Sequence, residues 1–571
     1  MYIQGKVKEQ NTFDALVVGS GVSGGWAAKE LTEKGLKVLL IERGRHVEHV
    51  TGYENALKNP WDFPHRGRLS KQAKKDYWAG SRAGFANAED ILPHFVKDSE
   101  YHYEEKRSFD WVRGYQTGGR SLTWGKQSYR WNEKDFMANL EDGHGVDWPI
   151  RYADLAPWYS YVEKFAGISG SLEGLDVLPD GEFQTAMPLN CVEKDIKGSI
   201  EKAFPGRKLI IGRAAHLTNP TEEQTALGRA SCQYRNMCKR GCPYGAYFSS
   251  QSATLPAARN TGNLTLVNDK VVYSTIFDPE TQKVIGVKAI DETTGDEHEY
   301  YGKIVFLNAS AMNTAWIMMQ STSSKHANGL GNESDQLGRN IMDHHLNVWA
   351  RGDVEGYEDE YYFGRRPNGI YIPRFANFGE DKRTDFLRGF GYQGSASRAM
   401  GQPTENSFGA GLKEDMSKPG PWSFGIRGFG ETLPDPNNRM TLSENKDQWG
   451  LPYIEFDTAW GPNEMAMRKT ILKEAMDMLE AAGLKNVRGG DETQKSMGVG
   501  IHEMGTARMG HDSKTSVLNK WNQVWGAENV FVTDGAAMTS SSCVNPSLTY
   551  MALTARAANY AVEELKKGNL G

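Results

Sequence analysis

Residues Leu16 to Gly44 read LVVGSGVSGGWAAKELTEKGLKVLLIERG. An apolar run, a glycine turn, an amphipathic stretch and a second apolar run ending in an acid predict strand, helix and strand, the opening of a Rossmann-like α/β unit. Gly19, Gly21 and Gly24 form G-x-G-x-x-G. The first permits the turn, the second lets backbone approach a pyrophosphate, and the third lets the helix lie against the sheet. The phosphates would then sit on a helix N-terminus, whose unpaired N–H groups favour negative charge. Glu42 closes the second strand, with Arg43 beside it, where a carboxylate can accept hydrogen bonds from an unphosphorylated adenosine ribose. A plain glycine turn needs no such sequel, so the segment predicts a dinucleotide site, without separating FAD from NAD.

At 571 residues the chain exceeds one simple core, and two intimately joined domains are expected. A net charge of -6 with 24% charged residues argues against a nucleic-acid binder or a disordered acidic protein, which leaves a small molecule as partner. The 62 glycines and 11% aromatic residues suit close backbone approaches to a ligand and stacking surfaces for flat rings or sugars. No apolar run approaches the ~18 residues that cross a bilayer, so no membrane span is expected. The longest runs, Ala15 to Val18 and Val38 to Ile41, read as buried strands. The polar start MYIQGKVKEQ leads quickly into a strand and leaves no room for a cleavable export signal. There is no internal repeat or low-complexity linker.

Further segments, in order, resemble the glucose-methanol-choline flavoenzymes. RGYQTGGRSLTWG (Arg113 to Gly125) is similar to the family's glycine-rich stretch against the flavin ring and pyrophosphate, which implies contacts from Gly118, Gly119 and Ser121. DWPIRYADLAPWYSYVE (Asp147 to Glu163) resembles the segment that follows it in bacterial sugar dehydrogenases. FLNASAMNTAWIMMQS (Phe306 to Ser321) with LGRNIMDHH (Leu337 to His345) looks like the returning Rossmann strand and its loop. IHEMGTARMG (Ile501 to Gly510) and VFVTDGAAMTSSSCVNPSLTYMALTARAA (Val530 to Ala558) complete the match. The resemblance implies that Asp534-Gly535, ahead of a helix beginning near Asn545-Pro546, bring backbone amides to FAD, and that Val271 or Val272 meets the adenine. In the pyranose oxidase branch the counterpart of LTW carries a histidine bonded to the flavin; Thr123 stands here, which implies dissociable FAD.

Oxidising an alcohol by hydride transfer requires the hydroxyl proton to leave as the C–H hydride departs, so a base near neutral pKa is needed, and histidine meets that need. Among 13 histidines, His502 in I-H-E-M-G-T occupies the position that resembles the family's base, and Asn545 matches the second member of its His-His or His-Asn pair. Neutral His502 would accept the proton while the Asn545 amide holds the substrate oxygen. His511 and the His344-His345 pair lack that context and are assigned structural or cofactor-loop roles.

Cys232, Cys238 and Cys242 form C-x5-C-x3-C-P, three soft sulfur ligands in one loop, which suits iron-sulfur ligation. A zinc ion would want a fourth ligand, for which His216 is available. The spacing resembles that of FAD sugar dehydrogenases whose catalytic subunit carries a 3Fe-4S cluster, although other family members keep a similar loop without one. Such enzymes, of the glucose, fructose, gluconate or glucoside 3-dehydrogenase type, imply a small partner subunit with an export signal, a cytochrome c acceptor and a periplasmic location. Cys191 and Cys543 read as ordinary buried thiols.

The resemblance also implies an α/β fold in which a Rossmann-like FAD-binding domain (1-60, 110-150, 215-345 and 500-571) interleaves with a substrate domain (61-109, 151-214 and 346-499) built on a large antiparallel sheet. The aromatic, glycine- and arginine-rich stretch Tyr357 to Gly409 falls in the substrate domain, and GIRGFGETLPDPNNRMTL is expected to begin its sheet. The implied substrate is a sugar or glycoside, with C3 of a glycoside or C1 of an aldose favoured. The alternative is an oxygen-using sugar oxidase without a cluster.

Overall fold

The protein is described from a computed structural model that covers residues 11–361, 366–399, 401, 403, 407–493 and 495–570. The polar N-terminal segment and residues 362–365 of the aromatic stretch lie outside that set.

Thr12–Val18 lies between Val38–Ile41 and Glu297–Leu307, all parallel, with Ala15 opposite both Val38 and Ile304. Leu264–Val267 extends the sheet beyond Val38–Ile41, and Ala527–Val532 extends it beyond Glu297–Leu307. A parallel sheet is covered on both faces, so its strands read as continuous apolar runs. Ala15 to Val18 and Val38 to Ile41 are accordingly buried at every position. One cover is built from both ends of the sequence: Ala27, Ala28 and Leu31 of Val22–Glu33 share a core with Ala557, Ala558 and Ala561 of Ser547–Lys566. The hairpin Lys270–Asp278 and Lys283–Asp291 pairs antiparallel with Glu297–Leu307.

The turn glycines act by contact distance. Gly19 has φ +89°, and a Cβ on it would stand 2.4 Å from the Asn308 carbonyl oxygen. A Cβ on Gly24 would stand 1.7 Å from the Gly19 carbonyl oxygen, so the helix reaches the strand only because that atom is missing.

A second, antiparallel sheet runs in the order Lys485–Asp491, Val348–Val354, Trp422–Gly430, Phe390–Arg398, Ile370–Ile372, Ile210–Ile211. Its period-2 alternation separates two faces. Trp422, Phe424 and Ile426 are buried in one core with Met467, Ile471, Ala475 and Met478 of the helix Pro462–Ala481. Gln393, Ser395, Arg427 and Phe429 line a cavity on the other face. GIRGFG is therefore an interior strand and not the first, because the sheet already includes Ile210–Ile211 and Val348–Val354. The RMTL that follows departs into a small sheet of Arg439–Lys446, Pro452–Asp457 and Glu104–Glu105.

Candidate active site

The cavity holds about 620 Å³, within the range of small-molecule and cofactor sites. It opens where the parallel strands end, at Val18-Gly19, Ile41-Glu42, Asn308 and Asp534, the usual ligand position in such sheets. Gly21 N-caps Val22–Glu33, whose first turn carries no acid and whose cap makes no side-chain hydrogen bond, so its N–H groups are free for an anion. A Cβ on Gly21 would meet nothing within 4 Å, which leaves an open cradle beside that helix end. The second glycine turn packs against the first: a Cβ on Gly119 would lie 3.6 Å from Gly21 Cα. The Gly118 N–H donates to Ser20 Oγ (2.8 Å). Glu42 accepts from the Ser20 and Gly44 N–H groups at 2.9 and 2.8 Å, and burial pushes its pKa up.

Around this cradle Arg43 Nε, Asn308 Nδ2 and Tyr550 OH are buried without a hydrogen-bond partner among the described residues, on residues that line the cavity. Open cradle, free helix end and orphaned donors fit a dinucleotide such as FAD, which supplies the hydride acceptor when bound. Gly19, Gly21, Glu42, Arg43, Gly119, Ser121, Thr123, Val271, Val272, Asp534 and Gly535 all line the cavity. Gly24, Gly118 and Pro546 do not. Gly24 is committed to helix packing, Gly118 is turned away toward Ser20 and Gln251, and Pro546 caps Ser547–Lys566 while Ser547 and Tyr550 reach the cavity in its place.

His502 and Asn545 meet on the cavity wall, with Asn545 Nδ2 3.2 Å from His502 Nε2. Asn545 Oδ1 in turn accepts from Gln393 Nε2 (2.6 Å), which ties the pair to the antiparallel sheet. His502 follows Ile501, a β-branched residue at φ +55°, a conformation that persists only where its surroundings enforce it. Asp343 supplies that enforcement. Its Oδ2 accepts from the N–H of Gly498 and Gly500 (2.9 and 2.7 Å), and its Oδ1 from the N–H of His502 (3.0 Å). Burial, with Glu503 nearby, pushes the Asp343 carboxyl up to about 7 against the pull of those amides. Glu503 itself pairs with Arg120, another cavity residue, at 2.8 Å.

Burial, then His344 and Arg120, holds His502 well below the ordinary histidine value of 6.5. A depressed pKa keeps the imidazole neutral, and able to accept a proton, until the pH falls well below 6.5. The expected pH profile of flavin reduction by an alcohol is flat from neutral pH down past 6.5, with its acid limb below that value. Rapid-mixing measurements across the acid range check this, and an acid limb at or above 6.5 would contradict it.

His344, given only a structural or cofactor-loop role from the sequence, stands against the candidate base, its Nδ1 2.7 Å from His502 Nδ1. A double histidine in a loop carries no local sign of which ring meets which partner. His345 is buried against Gly430, and His511 sits at the surface beside Asp147.

Cys232, Cys238 and Cys242 are free and partly buried, and Cys238 Sγ is 3.5 Å from His216 Nε2. Among the described residues no three His, Cys, Asp or Glu side chains converge to hold a metal ion, so the loop as folded does not display a formed cluster site. Its surroundings are cationic. Lys126 and Arg229 are 2% and 1% exposed. Burial lowers Lys126 to about 8 and Arg229 to about 9, against an opposing pull from the thiols of Cys238 and Cys242 on Lys126 and of Cys242 on Arg229. Cys543 is buried as expected; Cys191, at the start of the helix Cys191–Ala203, is only partly buried, packed against the core of the antiparallel sheet.

A largely parallel sheet with a dinucleotide cradle, faced by an antiparallel sheet, with an imidazole and a carboxamide from two C-terminal loops meeting on the wall of the shared cavity, defines a flavin-dependent alcohol oxidoreductase. The family assignment agrees: the GMC oxidoreductase pattern matches residues 13–346 with its N-terminal part and 434–554 with its C-terminal part, and the chain belongs to that family of FAD enzymes acting on CH–OH groups. The chain is 25% identical over 565 residues to the fructose dehydrogenase large subunit of Gluconobacter japonicus, covering 97% of this chain and 98% of that one. It is 29% identical over 576 residues to the 2-methyl-1,2-propanediol dehydrogenase of Mycolicibacterium austroafricanum, covering 96% and 94%. The crystal structure of pyridoxine 4-oxidase from Mesorbium loti superposes with a TM-score of 0.59 at 15% identity, over 96% of this chain and 98% of that one, and so shares the fold.

Proposed function

We propose that the protein is an FAD-dependent sugar dehydrogenase that oxidises a secondary or anomeric alcohol, with C3 of a glycoside or C1 of an aldose favoured. The observation that carries the chemistry is the meeting of His502 and Asn545 at 3.2 Å on the wall of the cofactor cavity. His502 Nε2 takes the hydroxyl proton and Asn545 Nδ2 holds the oxygen as the C–H bond breaks toward the flavin. The sugar assignment is supported by the substrate side of the cavity, where Gln127, Asn368, Gln393 and Ser395 offer hydrogen bonds beside the rings of Trp124 and Phe429. Hydroxyl-rich rings are bound by that combination of polar groups and aromatic faces. The fructose dehydrogenase likeness points the same way.

The proposal extends to electron exit. Three thiols in one loop, with Lys126 and Arg229 buried beside them and, among the described residues, no carboxylate hydrogen-bonded to either, suit an anionic thiolate-bound centre of the 3Fe-4S type. Such a centre would supply one-electron transfer to an outside acceptor. That the fructose dehydrogenase relative is a large subunit supports a small partner subunit here; export to the periplasm on that partner's signal and a cytochrome c acceptor are part of the same proposal. Among the described residues no helix is long and apolar enough to cross a membrane. The division into interleaved FAD and substrate domains at the boundaries given above belongs to the same proposal.

Anaerobic stopped-flow mixing with a panel of aldoses and glycosides should bleach the flavin, and the reduced enzyme should reoxidise with a dye much faster than with oxygen. A panel in which simple diols bleach the flavin and no sugar does would refute the sugar assignment; fast reoxidation by oxygen would make the protein an oxidase. Anaerobically purified protein should carry iron and acid-labile sulfide. Zinc, or no metal, would remove the cluster.

A further inference from the structure

His344 is fully buried, follows Asp343 in the chain, and spans the gap between the catalytic imidazole and the backbone behind it. Its Nε2 lies 2.9 Å from the Ser542 carbonyl oxygen, and its Nδ1 lies 2.7 Å from His502 Nδ1. The two rings are nearly perpendicular, at 88°, with centroids 4.9 Å apart. A carbonyl oxygen can only accept, so the His344 Nε2 must carry hydrogen and donate. In a neutral ring that leaves His344 Nδ1 bare, an acceptor. The facing nitrogen, His502 Nδ1, must then carry the hydrogen of that contact, and His502 Nε2 is left with its lone pair toward Asn545 and the cavity.

We propose that His344 is the positioning residue that fixes His502 in the one tautomer able to act as base. The proposal rests on His502 being that base. The chain of contacts ends on a carbonyl, which can neither give nor take a proton at working pH, so His344 is a clamp and not an exit route: the proton taken from the substrate stays on His502 Nε2 or leaves through the cavity. The backbone makes the clamp rigid. Ser542 presents its carbonyl from a φ of +53°, and Asp343 holds both the His344 N–H (2.9 Å) and the His502 N–H (3.0 Å) on the same carboxylate oxygen. The charged and titratable groups around the two rings are Asp343, His345, and the Arg120–Glu503 pair. None of them offers His502 Nδ1 an alternative acceptor.

Removing the acceptor tests the role. In His344→Leu, His502 Nδ1 loses its partner and the ring is free to carry its hydrogen on Nε2, the face that must be bare. Flavin content and substrate KM should stay near wild type, while the rate of flavin reduction falls roughly 10- to 100-fold. That rate should climb with pH as solvent base substitutes for the misprotonated ring, where the wild type is flat. In His344→Asn the carboxamide oxygen can stand near the original Nδ1 and accept from His502, so most of the rate and the flat profile should return. Equal rates in the Leu and Asn variants, or a His344→Leu enzyme as fast as wild type, would overturn the proposal. The His502→Ala variant separates this from failure of the base assignment: if His502→Ala is slow and His344→Leu is not, only the tautomer role falls.

Discussion

Replacing His502 with alanine should leave a yellow protein that sugar reduces at least about 100-fold more slowly. Both halves of that expectation come from where the ring stands. The cradle that holds the cofactor is made of Gly19 to Val22, Gly119, Asn308 and Asp534, and none of these touches the imidazole by a hydrogen bond. Flavin occupancy should therefore survive, as the ratio of visible to ultraviolet absorbance would report. The chemistry should not, because the other titratable groups near the imidazole are engaged or charged: Asp343 is buried behind the loop on backbone amides, Glu503 is engaged by Arg120, His344 offers its bare nitrogen to His502, and Lys126, lowered only to about 8, stays mostly protonated at neutral pH. Anaerobic stopped-flow reduction is the measurement. Unchanged reduction would end the base assignment, and with it the role given to His344.

What the sequence disclosed follows the range over which each signal acts. The dinucleotide turn was legible because its physics is local: Gly19, Gly21 and Gly24 serve different ends within one turn, and the Cβ distances of 2.4 Å, none within 4 Å, and 1.7 Å separate strain, open cradle and helix packing as the motif predicts. The pairing of His502 with Asn545 was legible only through family resemblance, since nothing in the sequence between these positions, 43 apart, forces the two side chains to meet. The residues that organise them were not legible. Asp343, His344 and Gln393 act across sequence gaps of 159, 158 and 152 residues, and each is a common residue in an unremarkable local pattern. The strand order of the roof sheet was hidden for the same reason: antiparallel pairing of Ile210–Ile211 with Ile370–Ile372 is a long-range choice that alternation alone cannot express. Gly118 and Gly119 show the limit of a motif even where it succeeds, since of two adjacent glycines in one turn only Gly119 lines the cavity, while Gly118 braces Ser20 from behind, its Cα against Gln251.

The second and third glycines of the fingerprint should fail in different ways when enlarged, and that difference tests the cofactor site independently of any substrate. Gly21 has φ −65°, a conformation open to any L residue, and a Cβ there meets no atom of the chain within 4 Å. Gly21→Val should accordingly fold, with secondary structure and chromatographic behaviour of the native protein, yet be colourless, because the branched side chain fills the space beside the free helix N-terminus where the pyrophosphate approaches. Its thermal midpoint should match that of wild-type protein stripped of flavin and should not rise on adding FAD, whereas stripped wild type should gain stability with FAD concentration as a ligand that binds only the folded state requires. Gly24→Val is the contrasting case. Its Cβ would sit 1.7 Å from the Gly19 carbonyl oxygen, so the helix must lift from the sheet, and the core shared by Ala27, Ala28, Ala557 and Ala558 opens with it. That variant should lose both flavin and cooperative unfolding, and accumulate as insoluble protein. A yellow Gly21→Val protein would place the pyrophosphate elsewhere and remove the physical basis for reading the cavity as an FAD site.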